Sequence, residues 1–126
     1  MVIGLGIDAV DIGRIRRWME TPGLPARFFH PQELIEVQSR GQMIAHSLAA
    51  RFAAKEAYGK ALGTGLRDIT LKNILVINSP NGKPELMLFE DALLPFKRRG
   101  GTHIHLSITH ESNIAVACVI LEGDSL

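Results

Sequence analysis

A chain of 126 residues with a hydrophobic share of 46% and a formal net charge of +1 is sized and composed for a single globular domain over residues 1–126. The near-neutral charge excludes a generally basic nucleic-acid binder, so any cationic surface has to be local. A single cysteine, Cys118, excludes an intrachain disulfide and a multi-cysteine zinc site.

The N-terminal run has no positively charged start and meets Asp8 early, so a signal peptide is not expected. No stretch approaches the roughly 20 apolar residues of a membrane span, and a soluble cytoplasmic protein is the expectation. Val2–Ile7 is β-branched and Gly-spaced, which predicts a short buried strand with Asp8 at its end. A carboxylate there is costly to desolvate without a partner, and either a metal ion or a basic side chain would serve. Asp11 precedes Ile12, Ile15 and Met19 on one helical face and reads as the N-cap of a first helix. Arg14 and Arg17 share a face of that helix, either as a solvated basic surface or as a docking patch for an acidic partner.

Thr21–Pro25 breaks the chain, Phe28 and Phe29 read as core anchors, and Pro31 starts a short helix running to about Gln38. Ser39–Gly41 interrupts before the stretch that dominates the sequence. Residues 47–65, SLAARFAAKEAYGKALGTG, predict a helix with a stripe of Leu48, Phe52, Ala53, Ala57 and Leu62, stopped by Gly63 and Gly65. Ser47 is a candidate cap unless the helix already runs from Gln42. Glu56 and Lys60 lie four apart on one face. They suit a solvated ion pair, or a carboxylate for a hard cation such as Mg²⁺ with a phosphate-binding ammonium beside it.

Ile69–Asn78 is β-rich, residues 79–84 form a strong turn cluster, and Glu85–Phe89 returns as a strand. Glu90–Arg98 predicts a short helix disturbed by Pro95. Thr102–Thr109 alternates, with Ile104, Leu106 and Ile108 on one face and His103, His105, Ser107 and Thr109 on the other. That polar row suits hydrogen bonding to a ligand better than a zinc site, because no third ligand accompanies the two histidines. Residues 110–113 predict a turn, and Ile114–Leu121 a continuous buried strand in which Cys118 is a structural thiol.

Three stretches together resemble the small bacterial holo-acyl-carrier-protein synthases, a branch of the 4′-phosphopantetheinyl transferases. They are GLGIDAVDIGRI (4–15), RFAAKEAYGKALGTG (51–65) and HLSITH (105–110), supported by NGKPEL (81–86) and AVACVILE (115–122). The resemblance implies transfer of the phosphopantetheine group from coenzyme A to a serine of apo acyl carrier protein, with adenosine 3′,5′-bisphosphate as the second product. It implies Mg²⁺ on Asp8 and Glu56, Lys60 at the pyrophosphate, His105 and Ser107 on the coenzyme A-binding strand, and Arg14 and Arg17 facing the carrier. It further implies a homotrimer with sites between subunits, acting in fatty acid synthesis. The expected fold is α+β, one long helix on a mainly antiparallel sheet. The rival readings are a metal-dependent phosphohydrolase and a non-catalytic coenzyme A-binding trimeric module.

Overall fold

The structure, a computed structural model, describes residues 1–124. In chain order it forms β1 (Val2–Asp11), α1 (Ile12–Met19), α2 (Pro25–Phe28), α3 (Pro31–Val37), α4 (Ile44–Leu62), β2 (Ile74–Asn78), β3 (Pro84–Leu88), α5 (Glu90–Arg98), β4 (Gly101–Glu111) and β5 (Ile114–Gly123). Short 3-10 turns precede α4 and β2. The expected α+β architecture is present: α4 packs on an antiparallel sheet ordered β1-β5-β4, and β2-β3 forms a separate antiparallel hairpin.

Helix α4 differs from the one-sided stripe that its apolar spacing predicts. It is buried nearly all round, and Arg51 and Lys55 are buried with it. Lys55 is held by Glu33 Oε1 at 2.6 Å and donates to the Phe28 and Leu71 carbonyls at 3.0 and 3.1 Å. Glu33 also accepts from the backbone N–H groups of His30 and Val76. This polar knot ties α3, α4 and β2 together with its donors satisfied, which is the condition for burying charge. Because α4 begins at Ile44, Ser47 lies inside it and accepts from Arg51 instead of capping. Gly63 ends the helix in the left-handed region at φ 84°.

The sheet also corrects the reading. Strand β1 does not stop before Asp8 but continues to Asp11, because β5 pairs with it along that whole length. It is an edge strand, and its outward residues Leu5 and Ile7 are 59% and 56% exposed. Strand β5 alternates between buried and half-buried residues, so Cys118 is only half-buried, on the outer face. Strand β4 runs through His110 and Glu111, which leaves the turn to Ser112 and Asn113. Upstream of β2, Leu71–Asn73 is a 3-10 turn, not strand.

Candidate active site

The site forms where β1 and α4 approach each other without intervening side chains. Gly6 faces the Ala57 carbonyl and the Ala61 N–H so closely that a Cβ there would sit 2.0 Å from the oxygen. Glycine on the strand and alanine on the helix therefore bring the two backbones together, and Asp8, two residues on, faces the helix. Its Oδ1 accepts from Lys60 Nζ at 2.8 Å. The i,i+4 partner suggested for Lys60 was Glu56, but the ion pair that forms is with Asp8 on the neighbouring strand. Asp8 wins because its side chain is 16% exposed and the close backbone approach carries it to Lys60.

Glu56 completes the group. Burial pushes its carboxyl above the ordinary value, the negative charge of Asp8 pushes it further, and Arg14 and Lys60 oppose both. The hydrogen bond and charge of Asp8 hold Lys60 above its ordinary value, with Glu56 adding to that. Arg14 stands at the rim, its guanidinium 4.8 Å from the Trp18 ring and 5.5 Å from Phe52. The N-cap expected at Asp11 is present, accepting from Arg14 N at 3.0 Å, and it orients the helix that carries Arg14 and the exposed Arg17.

Asp8, Glu56, Lys60 and Arg14 thus converge within one chain. His105 and Ser107 do not join them. They lie on the outer face of β4, away from α4, and His105 is paired with Glu122 on β5.

A family model described as the 4′-phosphopantetheinyl transferase superfamily matches residues 4–119. The chain belongs to this superfamily. It is 53% identical to the holo-[acyl-carrier-protein] synthase of Treponema denticola, over 98% of this chain and 100% of that one. Among solved structures it resembles the holo-[acyl-carrier-protein] synthase of Neisseria meningitidis, with a TM-score of 0.88, 34% identity, and coverage of 97% of this chain and 99% of that one. It also resembles the Bacillus anthracis synthase in complex with CoA (3′,5′-ADP), with a TM-score of 0.82, 33% identity, and coverage of 98% and 99%.

A transferase of this superfamily has to hold an anionic donor, and the structure carries a second feature suited to that. A cavity of about 460 Å³ opens between α4, β2 and the β4 edge, lined by Arg40, His46, Arg51, Asn78 and His110 among others. Arg51 is 4% exposed, yet its Nε and one terminal nitrogen make no hydrogen bond, and neither does His46 Nδ1. Glu36 lies 3.3 Å from that terminal nitrogen without hydrogen-bond alignment. A buried guanidinium that is ion-paired with Glu36 and, at 4.0 Å, with Glu33, yet keeps two nitrogens without hydrogen-bond alignment, retains donor capacity that suits an anionic ligand. Sequence reading did not single out Arg40, Arg51 or His110 for this role. The available signal was Arg51 embedded among small apolar residues.

The donor set at Asp8 and Glu56 fits Mg²⁺. It offers two hard carboxylates, with burial and the charge of Asp8 both pushing the Glu56 carboxyl up, and Mg²⁺ typically takes one or two carboxylates with the remaining positions left to water and substrate phosphates. Among the described residues no cluster of three or more His, Cys, Asp or Glu forms a cage that would need no substrate. No helix among them is long and apolar enough to cross a membrane.

Proposed function

We propose that this chain transfers the 4′-phosphopantetheine group of coenzyme A to a serine hydroxyl of apo acyl carrier protein in fatty acid synthesis, using Mg²⁺ held by Asp8 and Glu56, as a cytoplasmic homotrimer. The observation that carries this reading is the convergence of Asp8, Glu56 and Lys60 from two elements, with Arg14 at the rim.

In the reaction the serine Oγ forms a bond to the phosphorus bearing the pantetheine arm. The bond from that phosphorus to the bridging pyrophosphate oxygen breaks, and adenosine 3′,5′-bisphosphate leaves. Mg²⁺, when bound, supplies charge neutralisation at the pyrophosphate. Lys60, with its side chain 53% exposed, is free to place its ammonium against the same pyrophosphate. Glu56 has two carboxylate oxygens, so one can face the cation while the other takes the serine proton, directly or through a water. Arg14 is fixed over two aromatic rings, which leaves a rigid cationic fork for a carboxylate of the carrier, with Arg17 along the same exposed face.

The trimer reading is supported by two features of a single chain. Leu5 and Ile7 leave an apolar face of the sheet open, of the kind that other chains cover. The carboxylate pair and the cationic cavity also lie on opposite flanks of α4. Arg51 and Glu56 are five residues apart in the helix, about 140° around its axis. The carboxylate flank meets β1, while the cavity flank meets β4 across the sheet. In a ring the cavity flank of one subunit meets the carboxylate flank of the next, and the cavity then takes the phosphates of coenzyme A distal to the arm. His105 and Ser107, on the outer sheet face, contribute to coenzyme A binding in that shared site.

The test is intact-protein mass spectrometry of apo acyl carrier protein incubated with this chain, coenzyme A and Mg²⁺, alongside an EDTA control. A gain of one phosphopantetheine that disappears with EDTA is expected. Cleavage of the coenzyme A pyrophosphate without any carrier would replace the reading with a phosphohydrolase. Coenzyme A binding that is indifferent to Mg²⁺, with no transfer to any carrier, would replace it with a binding module.

A further inference from the structure

Two lysines of α4 are treated in opposite ways by the fold. Lys55 is 0% exposed and fixed by three acceptors, so it cannot leave its place. Lys60 is more than half exposed, and its one hydrogen-bond partner among the described residues is Asp8. Asp8 in turn has no other hydrogen-bond donor to its side chain among the described residues. The ammonium that reaches Asp8 therefore sits against the same carboxylate that is assigned to the cation, at the end of a flexible four-carbon stem that can swing to solvent.

We propose that Lys60 is a displaceable placeholder: with no donor bound, its ammonium occupies Asp8 in competition with a divalent cation, and the pyrophosphate of coenzyme A draws Lys60 away and frees Asp8 for the cation. This rests on the assignment of Asp8 and Glu56 as metal ligands. The charge count gives the direction. With Lys60 in place, the two carboxylates and one ammonium present a net −1 to the cation; without it they present −2. Removing Lys60 thus strengthens metal binding in the absence of coenzyme A, the opposite of what removing a supporting residue does. Adding coenzyme A relocates the ammonium onto the pyrophosphate, so donor and cation promote each other's binding reciprocally. The device keeps one of the two carboxylate charges neutralised until the donor arrives and orders the two events.

The test is Mn²⁺ titration of the metal-stripped chain, followed by electron paramagnetic resonance of the free ion, with and without saturating coenzyme A and with no carrier present. Wild type is compared with Lys60→Met, Lys60→Gln and Asp8→Asn, each first shown to be folded by circular dichroism. Without coenzyme A, both Lys60 variants are expected to bind Mn²⁺ about two- to fivefold more tightly, the scale of a partly exposed ion pair. Coenzyme A should tighten Mn²⁺ binding more in wild type than in either variant. Equal or weaker Mn²⁺ binding by the Lys60 variants without coenzyme A would overturn the placeholder role. Equal tightening by coenzyme A in all three would overturn the release step. Asp8→Asn separates the two levels: loss of Mn²⁺ affinity there upholds the metal assignment whatever Lys60 does, and wild-type affinity there removes that assignment and the placeholder with it.

Discussion

A single methyl group at Gly6 is expected to disable the site through geometry alone. An alanine Cβ at this position would lie 2.0 Å from the Ala57 carbonyl oxygen and 2.6 Å from the Ala61 nitrogen. Both obstacles are backbone, so no side chain can turn aside to admit it. Ordinary contact begins at 3.4 Å, so moving from 2.0 to 3.4 Å requires strand and helix to part by about 1.4 Å at this point. Overpacking of this kind costs about 1–3 kcal/mol, and a backbone clash belongs at the upper end. The melting temperature should then fall by on the order of 10 °C. Asp8 moves with the strand, away from Glu56, whose backbone stays with the helix. A misplacement of about 1 Å in a reacting group costs about 100-fold in rate. The assay is the initial rate of carrier mass gain at saturating coenzyme A and Mg²⁺, well below the melting temperature of Gly6→Ala. A folded variant whose rate stays within about threefold of wild type would refute the claim that the β1–α4 approach positions Asp8 for the reaction.

Other changes probe separate parts of the structure. Lys55→Met leaves the buried Glu33 without its 2.6 Å ammonium partner, and should cost about 3 kcal/mol in urea denaturation, with partial recovery in the Glu33→Gln/Lys55→Met double variant; an unchanged midpoint would show that the knot is not needed. Arg14→Glu should raise KM for the carrier about tenfold or more while leaving KM for coenzyme A nearly unchanged, and equal increases would argue against docking. The raised carboxyl of Glu56 sets a pH dependence. Its native form holds the proton more tightly than the unfolded chain does, so stability falls as pH rises from the unfolded value through the raised native one, and remains lower above it. In EDTA, Glu56→Gln should therefore melt higher than wild type at neutral pH and alike at about pH 4. Melting curves that coincide at both pH values would contradict the burial of Glu56 beside Asp8.

Much of the fold was legible because local signals and global packing agreed. The end of α4 at Gly63, the cap at Asp11, the start of α3 at Pro31 and the two-faced alternation of β4 all follow from residue chemistry at short range. The errors came from interactions that span the sequence. Periodicity treats charged residues as solvent-facing, but Arg51 and Lys55 are buried because Glu33 and Glu36 of a distant helix meet them. Helical spacing offered Glu56 as the partner of Lys60, whereas the partner lies 52 residues away and is reached only because Gly6 admits the helix backbone. The outward apolar residues of β1 read as core because a sequence does not say which face of a sheet is left open. Asp8 and Glu56 were singled out by chemistry and resemblance. The cavity around Arg51 was not, since it needs residues from α4, β2 and β4 together.

The separation of carboxylates and cavity on opposite flanks of α4 has a consequence that can be counted. If each site joins the carboxylate flank of one subunit to the cavity flank of the next, Asp8→Asn damages one side of a site and Arg51→Met the other. Each variant alone is expected to be inactive. Mixing them by unfolding and refolding at equal concentration produces rings in which some junctions have both intact sides. A junction is intact only when its first subunit carries Asp8 and its second carries Arg51, which random assortment provides for about a quarter of junctions in a cyclic assembly. Recovered transfer near that fraction, from material that sediments as a trimer, is the expected result. If each chain instead completes its own site, every chain in the mixture still carries one lesion, and no recovery is possible at any mixing ratio. The same mixture of monomers, separated before assay by a charged substitution at Ile7 on the open sheet face, should lose the recovered activity. Absence of recovery from material that sediments as a trimer would place the whole site within one chain and leave the apolar face without a part in catalysis.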